Sequence, residues 1–570
     1  MTERANSTAA DAICAAFRRH GVTHAFGQSI PVPFHLAAPS WGIKQVAYRA
    51  ENAGGAMADG YARISGRVGV VTAQNGPAAT LLVPPLAEAL KASIPVLALV
   101  QDVARDSSER NAFQELDHLA LFAGVTKWVK RVDHSSRLAD YVDMAFTAAC
   151  SGRPGPVALI VPADMFHEPL AVDARRGAAL GSYPLDRPVA DPAQVAIAAR
   201  LLAEAERPLV VAGGGVHLSR ACDALAALQS RAHLPVATTT MGKGAVAETD
   251  PLSLGVIGYY MGPNGMARHL RPLVERADVV LLVGSRTNQN GTDSWQLLPR
   301  DARYIHIDAD GLEIGRNYEA LRLVGDARAT LEALSAALSA RDLGKRRGAR
   351  PAVEAAIAAG RARHADESRA VTESGASPIR PERLMRELAA RLRPDDIVVA
   401  DASYASIWIA NYLRAERPGQ RFLTPRGIAG LGWGLPMALG AKVAAPDARV
   451  FCIAGDGGFA HCWAELETAR RMGLPVVTMV LNNGILGYQK HAELSRYGRH
   501  SDAVAFAGVD HALIARACGC HGERLEDPAR IGAALDAAIA CEVPSLIDVV
   551  TDPAAYPPIT SFAGSIEKFV

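Results

Sequence analysis

The chain has 570 residues, enough for three or four domains at about 150 residues each. Lys and Arg number 60 and Asp and Glu 59, a formal net charge of +1 that argues against a nucleic-acid or membrane-surface partner, which a clustered basic excess would mark. The most apolar stretch, residues 83–100, is interrupted by Glu88 and Lys91, so no membrane span is expected.

Short β-rich runs alternate with longer Ala/Leu-rich helical patterns in three successive segments, the signature of parallel sheets covered by helices. The first segment has runs at 23–27, 45–49, 68–72, 95–100 and 156–161, with an amphipathic helical stretch at 52–64, and closes in an Arg/Gly/Pro-rich linker at 171–192. The second has runs at 208–212, 235–239, 279–283 and 304–307, and ends in an Ala/Arg-dense, partly helical surface connector. The third has runs at 397–399, 450–454, 475–481 and 545–550. The expected fold class is therefore α/β, three doubly wound parallel-sheet domains, with boundaries at 1–185, 190–340 and 379–570 and the connector at 341–378. The first and third segments share one texture, which suggests internal duplication. Eight cysteines are scattered without a CxxC pair, which points to a reduced, cytoplasmic protein.

The sharpest local signal is Gly455-Asp456-Gly457-Gly458 followed by Asn482-Asn483-Gly484. A strand runs into Asp456, a helix from about 460 to 472 follows and stops at Gly473, and the next strand runs into Asn483, 27 residues after Asp456. A right-handed crossover brings both residues to one carboxyl edge, where open α/β sheets bind ligands. A carboxylate, an amide oxygen and a carbonyl form a hard all-oxygen set suited to Mg²⁺, and the glycines open a helix N-terminus suited to phosphate. The second signal is Glu51, where a short strand turns into a helix that carries the run Asp59-Gly60-Tyr61-Ala62-Arg63.

These motifs resemble the thiamine-diphosphate (ThDP) enzymes of the acetolactate synthase and pyruvate decarboxylase superfamily, over almost the whole chain. The Gly-Pro turn Gly76-Pro77 and the run Gly432-Trp433-Gly434-Leu435-Pro436 match as well. The resemblance implies ThDP and Mg²⁺ as cofactors. It implies that Glu51 hydrogen-bonds N1′ of the aminopyrimidine, so that N4′ takes the proton from C2, with the protein supplying orientation and electrostatics. It makes Leu431 the wedge that bends the cofactor, the Ala429 carbonyl the acceptor for N4′–H, Asp456, Asn483 and the Ile485 carbonyl the metal ligands, and Gly76, Gly455, Gly457 and Gly458 cofactor contacts. Ser403, Tyr404 and Ser406 lie on the loop that touches the diphosphate in relatives. The middle segment resembles the family's FAD- or nucleotide-binding domain. Its candidate residues are Gly213, Gly214, Arg286, Asp308 and Asp326. Thr287-Asn288-Gln289-Asn290 departs from the synthase pattern, which leaves FAD an open alternative. Relatives place Glu51 and the diphosphate site on different subunits, which implies a homodimer or homotetramer with active sites at the subunit interface.

The substrate loop after Asn483 departs most. Tyr488, Gln489 and Ala492 stand where synthases have Met, Val and Trp, and Gln28, Ser29 and Ile30 replace a Gly-rich entry loop, while Phe113 and Gln114 match. With His461 these residues form the expected, more polar substrate pocket, and Gln489 is a candidate catalytic group beside Glu51. The reading is a ThDP- and Mg²⁺-dependent C–C lyase or carboligase acting on 2-oxo acids or 1,2-dicarbonyl compounds. The alternatives are a 2-oxo acid decarboxylase, a dione-cleaving hydrolase and, in another class, a non-catalytic ThDP-binding relative. A nicotinamide dehydrogenase is the generic α/β competitor, but no strand–GxGxxG–helix unit with a downstream acid is present.

Overall fold

The computed structural model describes residues 7–173 and 176–562. The ends of the expected first and last domains, and part of the expected 171–192 linker, lie outside the described residues.

Three six-stranded, all-parallel sheets are built from consecutive stretches of chain. The first holds β1 (His24–Phe26), β2 (Lys44–Val46), β3 (Gly69–Ala73), β4 (Val96–Asp102), β5 (Trp128–Arg131) and β6 (Val157–Pro162), in the order β2-β1-β3-β4-β6-β5. The second holds β7 (Pro208–Ala212), β8 (Val236–Thr238), β9 (Ser253–Val256), β10 (Val279–Val283), β11 (Arg303–Asp308) and β12 (Ala320–Val324), in the order β12-β11-β10-β7-β8-β9. The third holds β13 (Ile397–Ala400), β14 (Phe422–Leu423), β15 (Val450–Gly455), β16 (Val477–Asn482), β17 (His521–Leu525) and β18 (Ser545–Val550), in the order β14-β13-β15-β16-β18-β17. Counted within its own sheet, each strand of the third occupies the position of its counterpart in the first, so the shared texture is a shared topology. The central sheet has the doubly wound dinucleotide-binding order instead.

The buried strands are continuous Val/Ile/Leu/Ala runs, as a parallel sheet covered on both faces requires. Five strands carry no comparable signal. β5, β9, β12, β14 and β17 are all edge strands, and their short or polar-interrupted segments lack a full apolar run.

Two expectations are corrected. The helix expected from 460 to 472 is two pieces, Asp456–Phe459 and Glu465–Arg471. Between them the amides of His461 and Cys462 bond three residues back, to Gly458 and Phe459, in tighter turns that swing Glu465 inward. The connector is one 29-residue helix, Gly344–Thr372, and buries Ile357, Gly360, His364 and Ser368 instead of lying wholly on the surface.

The first and third domains share one apolar core. Their contact is a crossing of two helices, Glu51–Ser65 and Gly434–Ala444. A Cβ on Gly60 would meet the Met437 carbonyl oxygen at 2.2 Å, and one on Gly440 would meet that of Met57 at 1.9 Å. Only glycines let the backbones come this close. Among the described residues no helix is long and apolar enough to cross a membrane.

Candidate active site

The carboxyl ends of β13, β14, β15 and β16 lead into one cavity. Asp456 follows β15 and Asn483 follows β16, as expected from the sequence, and both line it. The Asp456 carboxylate accepts the N–H of Gly457 at 3.0 Å and that of Gly484 at 2.7 Å. Burial pushes its pKa up to about 6, against the pull of those two bonds. Asn483 Oδ1 accepts the Ile485 N–H at 3.2 Å in a local turn, with a second lone pair to spare. Among the described residues no three His, Cys, Asp or Glu side chains gather into a metal cluster. A cation held here would take one carboxylate, one amide oxygen and a carbonyl, a set that fits Mg²⁺ completed by ligand oxygens.

Gly455, Gly457, Gly458 and Ile485 line the same cavity, as do Ser403, Tyr404, Tyr488 and Gln489. The Tyr404 hydroxyl lies 2.6 Å from Nδ1 of buried His491, which fixes the ring beside the cavity. Ser406 does not line the cavity: its hydroxyl donates to the Ser403 carbonyl at 2.7 Å and accepts from Arg426, fixing the loop from behind. His461 is exposed and outside it, and Ala492 packs toward the core of the third domain.

Ala429 and Leu431 line the same cavity. Their loop is held by two buried carboxylates. Glu88 accepts N–H from Gly427 at 2.7 Å, Ile428 at 2.6 Å and Ala429 at 3.3 Å. Asp401 accepts from Gly432, Trp433 and Gly434 at 3.0, 3.1 and 3.2 Å. Ala429 sits at φ 62°, a left-handed conformation that costs a residue with a side chain about 1 kcal/mol or more. Burial pushes both acids above the usual carboxylate range, against the pull of those bonds.

No residue of the first sheet lines this cavity. Glu51, half-buried, opens its helix directly after Ala50. Glu465, from the third domain, accepts the N–H of Arg49 and Ala50 at 3.2 and 3.1 Å and the Thr468 hydroxyl at 2.7 Å. Gln28 follows β1 and donates to the Arg49 carbonyl at 2.8 Å, while Ser29 and Ile30 extend that loop. After β3, the Gly76 N–H donates to His118 Nε2 at 3.1 Å, whose Nδ1 faces Asp102 at 3.2 Å. Gln114 crosses over this turn and accepts from Gln74 at 2.5 Å. Phe113 is 86% exposed. The first domain thus gathers Gln28, Glu51, Gly76, Phe113 and Gln114 at the carboxyl edge of its own sheet, apart from the cavity of the third.

In the central domain, Gly213, Gly214, Arg286, Asp308 and Asp326 all line one cleft, together with Lys91 and Arg153 of the first domain. Burial pushes Asp308 up to about 6 and lowers Arg286. Arg286 is bonded to the Lys91 carbonyl, and Asp326 caps the following helix and pairs with Arg187 and Ser219. The Thr287 carbonyl takes Trp295 Nε1 and Asn317 Nδ2, and the Asn288 side chain takes the Gly291 N–H, so the departing stretch bonds itself.

Glu88, Asp401, Glu465, His118 and His491 escaped the sequence reading. Glu88 carried a signal, a lone acid inside the most apolar run of the chain. The others stand among ordinary helix and turn residues.

Comparison with known families and proteins agrees with this layout. Three thiamine pyrophosphate enzyme domains match: the N-terminal TPP binding domain over residues 7–121, the central domain over 195–334 and the C-terminal TPP binding domain over 401–549. A probable acetolactate synthase large subunit of Methanocaldococcus jannaschii is 33% identical over 573 residues, covering 98% of this chain and 95% of the relative. One of Methanococcus aeolicus is 32% identical over 541 residues, covering 92% and 88%. The acetolactate synthase isozyme 2 large subunit of Escherichia coli is 31% identical over 541 residues, covering 94% of each.

Proposed function

The chain belongs to the thiamine pyrophosphate enzyme family, as an acetolactate-synthase-like member, and from that premise we propose that it forms or breaks C–C bonds of 2-oxo acids or 1,2-dicarbonyl compounds with thiamine diphosphate and Mg²⁺. The observation that carries the reading is the cavity at the ends of β13–β16, where Asp456, Asn483, Ile485, Ala429 and Leu431 converge. The bound cofactor supplies an electron sink for a carbon next to a carbonyl. Asp456, Asn483 and the Ile485 carbonyl hold the metal, and Gly457 and Gly458 leave room for a diphosphate at a helix start. Leu431 and the Ala429 carbonyl shape the cavity beside them. Glu51 holds a proton at the pyrimidine, and Gln489 orients a proton or water over the reacting carbon.

The separation of Glu51 from this cavity supports a homodimer at least, in which one chain's Glu51 completes the site of its neighbour. The exposed apolar side chains Leu36, Phe113 and Leu116 of the first domain support the same reading. Free, mostly buried cysteines suit a reducing cytoplasm.

Polar Tyr488 and Gln489 in the cavity favour a second reading, protonation, hydrolysis or a different acceptor in place of condensation with a second 2-oxo acid. Incubation with ThDP, Mg²⁺ and a panel of 2-oxo acids and diones, followed by product analysis, tests both. Turnover of none of them would overturn the proposal, and acetolactate from pyruvate would decide for the synthase reaction.

A further inference from the structure

Two buried carboxylates cross between the first and third domains of one chain, in opposite directions. Glu88, on the helix Val83–Ala92 of the first domain, receives the N–H groups of Gly427, Ile428 and Ala429 in the third. Glu465, at the start of the helix Glu465–Arg471 of the third domain, receives those of Arg49 and Ala50 in the first. Each acid is 1% exposed, and neither lines the cavity. The fit at Glu88 is specific: a Cβ on Gly427 would meet the Glu88 backbone oxygen at 2.5 Å and its carboxyl carbon at 2.8 Å. Behind Glu88, Arg63 lies 3.5 Å away and is itself paired with Asp59 at 2.5 Å, so the Asp59–Arg63 motif backs the clasp.

Each carboxylate therefore grips the backbone immediately beside a group that the proposed function assigns to cofactor activation. Glu88 holds the turn that presents the Ala429 carbonyl at φ 62°. Glu465 holds the two residues before Glu51. Core cohesion alone does not need acids here. Two apolar side chains would join the domains without a desolvation cost, but they could not fix the direction of five specific N–H groups.

We infer that Glu88 and Glu465 are positioning residues for proton transfer at the cofactor, Glu88 setting the Ala429 carbonyl of its own chain's site and Glu465 the Glu51 carboxylate that completes the neighbour's. The inference rests on the roles given to Ala429 and Glu51 above. Neither acid touches the cofactor, so each acts through geometry, where a displacement of about 1 Å costs on the order of 100-fold in rate.

The test compares Glu88→Gln, Glu465→Gln and Glu51→Gln in the full-length protein. Amide hydrogen exchange of the cofactor-free chain is followed by mass spectrometry, and exchange of the C2 proton of bound ThDP by NMR. Glu88→Gln is expected to speed amide exchange at 427–429, and Glu465→Gln at 49–50. Both should slow C2 exchange about 10- to 100-fold while ThDP still binds. Loosened amides with C2 exchange at the wild-type rate in both variants would reduce the acids to structural ties and overturn the inference. Normal C2 exchange in Glu51→Gln would instead overturn the assignment of Glu51 on which the inference stands. If Glu88→Gln does not fold, Glu88→Asp, which keeps the charge and shortens the reach, carries the same comparison.

Discussion

The Asp456 carboxylate accepts the backbone N–H of Gly484 at 2.7 Å, which ties the end of β15 to the turn that follows β16. One side chain thus links the Gly-Asp-Gly and Asn-Asn motifs before any ion is present. Asp456→Ala should lose both that tie and the anionic metal ligand. ThDP binding should weaken and its Mg²⁺ dependence should disappear, because ion and diphosphate stabilise each other only while the protein contributes its charge. Cofactor titration with and without EDTA checks this, and an unchanged metal dependence would remove Asp456 from the site.

Glu51→Gln should keep the fold and bind ThDP, since the Glu51 backbone is held through Arg49 and Ala50. Turnover should fall by on the order of 100- to 10,000-fold, the usual cost of losing an acid–base partner. Steady-state rates with saturating ThDP decide it.

Gln489 and Tyr488 line the cavity where the substrate would stand. Gln489→Val should move partitioning toward carboligation if, as proposed, this amide orients a proton or water over the reacting carbon. The measurement is the ratio of acetolactate to acetaldehyde and acetate from labelled pyruvate. A ratio unaltered by the substitution would show that Gln489 does not govern the acceptor.

The purified protein should lack stoichiometric flavin absorbance. The stretch that departs from the synthase pattern bonds itself, through the Thr287 carbonyl and the Asn288 side chain, and Arg286 bonds the Lys91 carbonyl. A visible spectrum with one flavin per chain would overturn this.

Asp308 gives a pH dependence. Burial raises its pKa from 3.8 to about 6 in the folded chain. A raised carboxyl contributes stability that is complete below the unfolded value and lost as pH rises through the folded one. Asp308→Asn should therefore stabilise the cofactor-free protein near pH 8, by at most about 3 kcal/mol, with the gain shrinking as pH falls through 6. Melting temperatures of both proteins at about pH 8 and pH 5 test it, and an equal difference at the two values would contradict it.

Sequence alone determined the alternation that builds parallel sheets, because a strand buried on both faces must be a continuous apolar run. It also determined the edge at which Asp456 and Asn483 meet, because a crossover has one hand. The place of Glu51 at a strand-to-helix turn was legible, and the helix Glu51–Ser65 begins there. Tertiary structure decided what these groups lean on. The strands β5, β9, β12, β14 and β17 are edge strands, too short or too interrupted by polar residues and glycine to form a full apolar run. Ser406 and His461 stand outside the cavity, Ser406 held by its bonds to Ser403 and Arg426 and His461 exposed, which spacing does not encode. Glu88 and Glu465 meet backbone more than 300 residues distant in the chain, and a backbone N–H has no residue identity, so no sequence pattern marks the partner that a buried carboxylate will find.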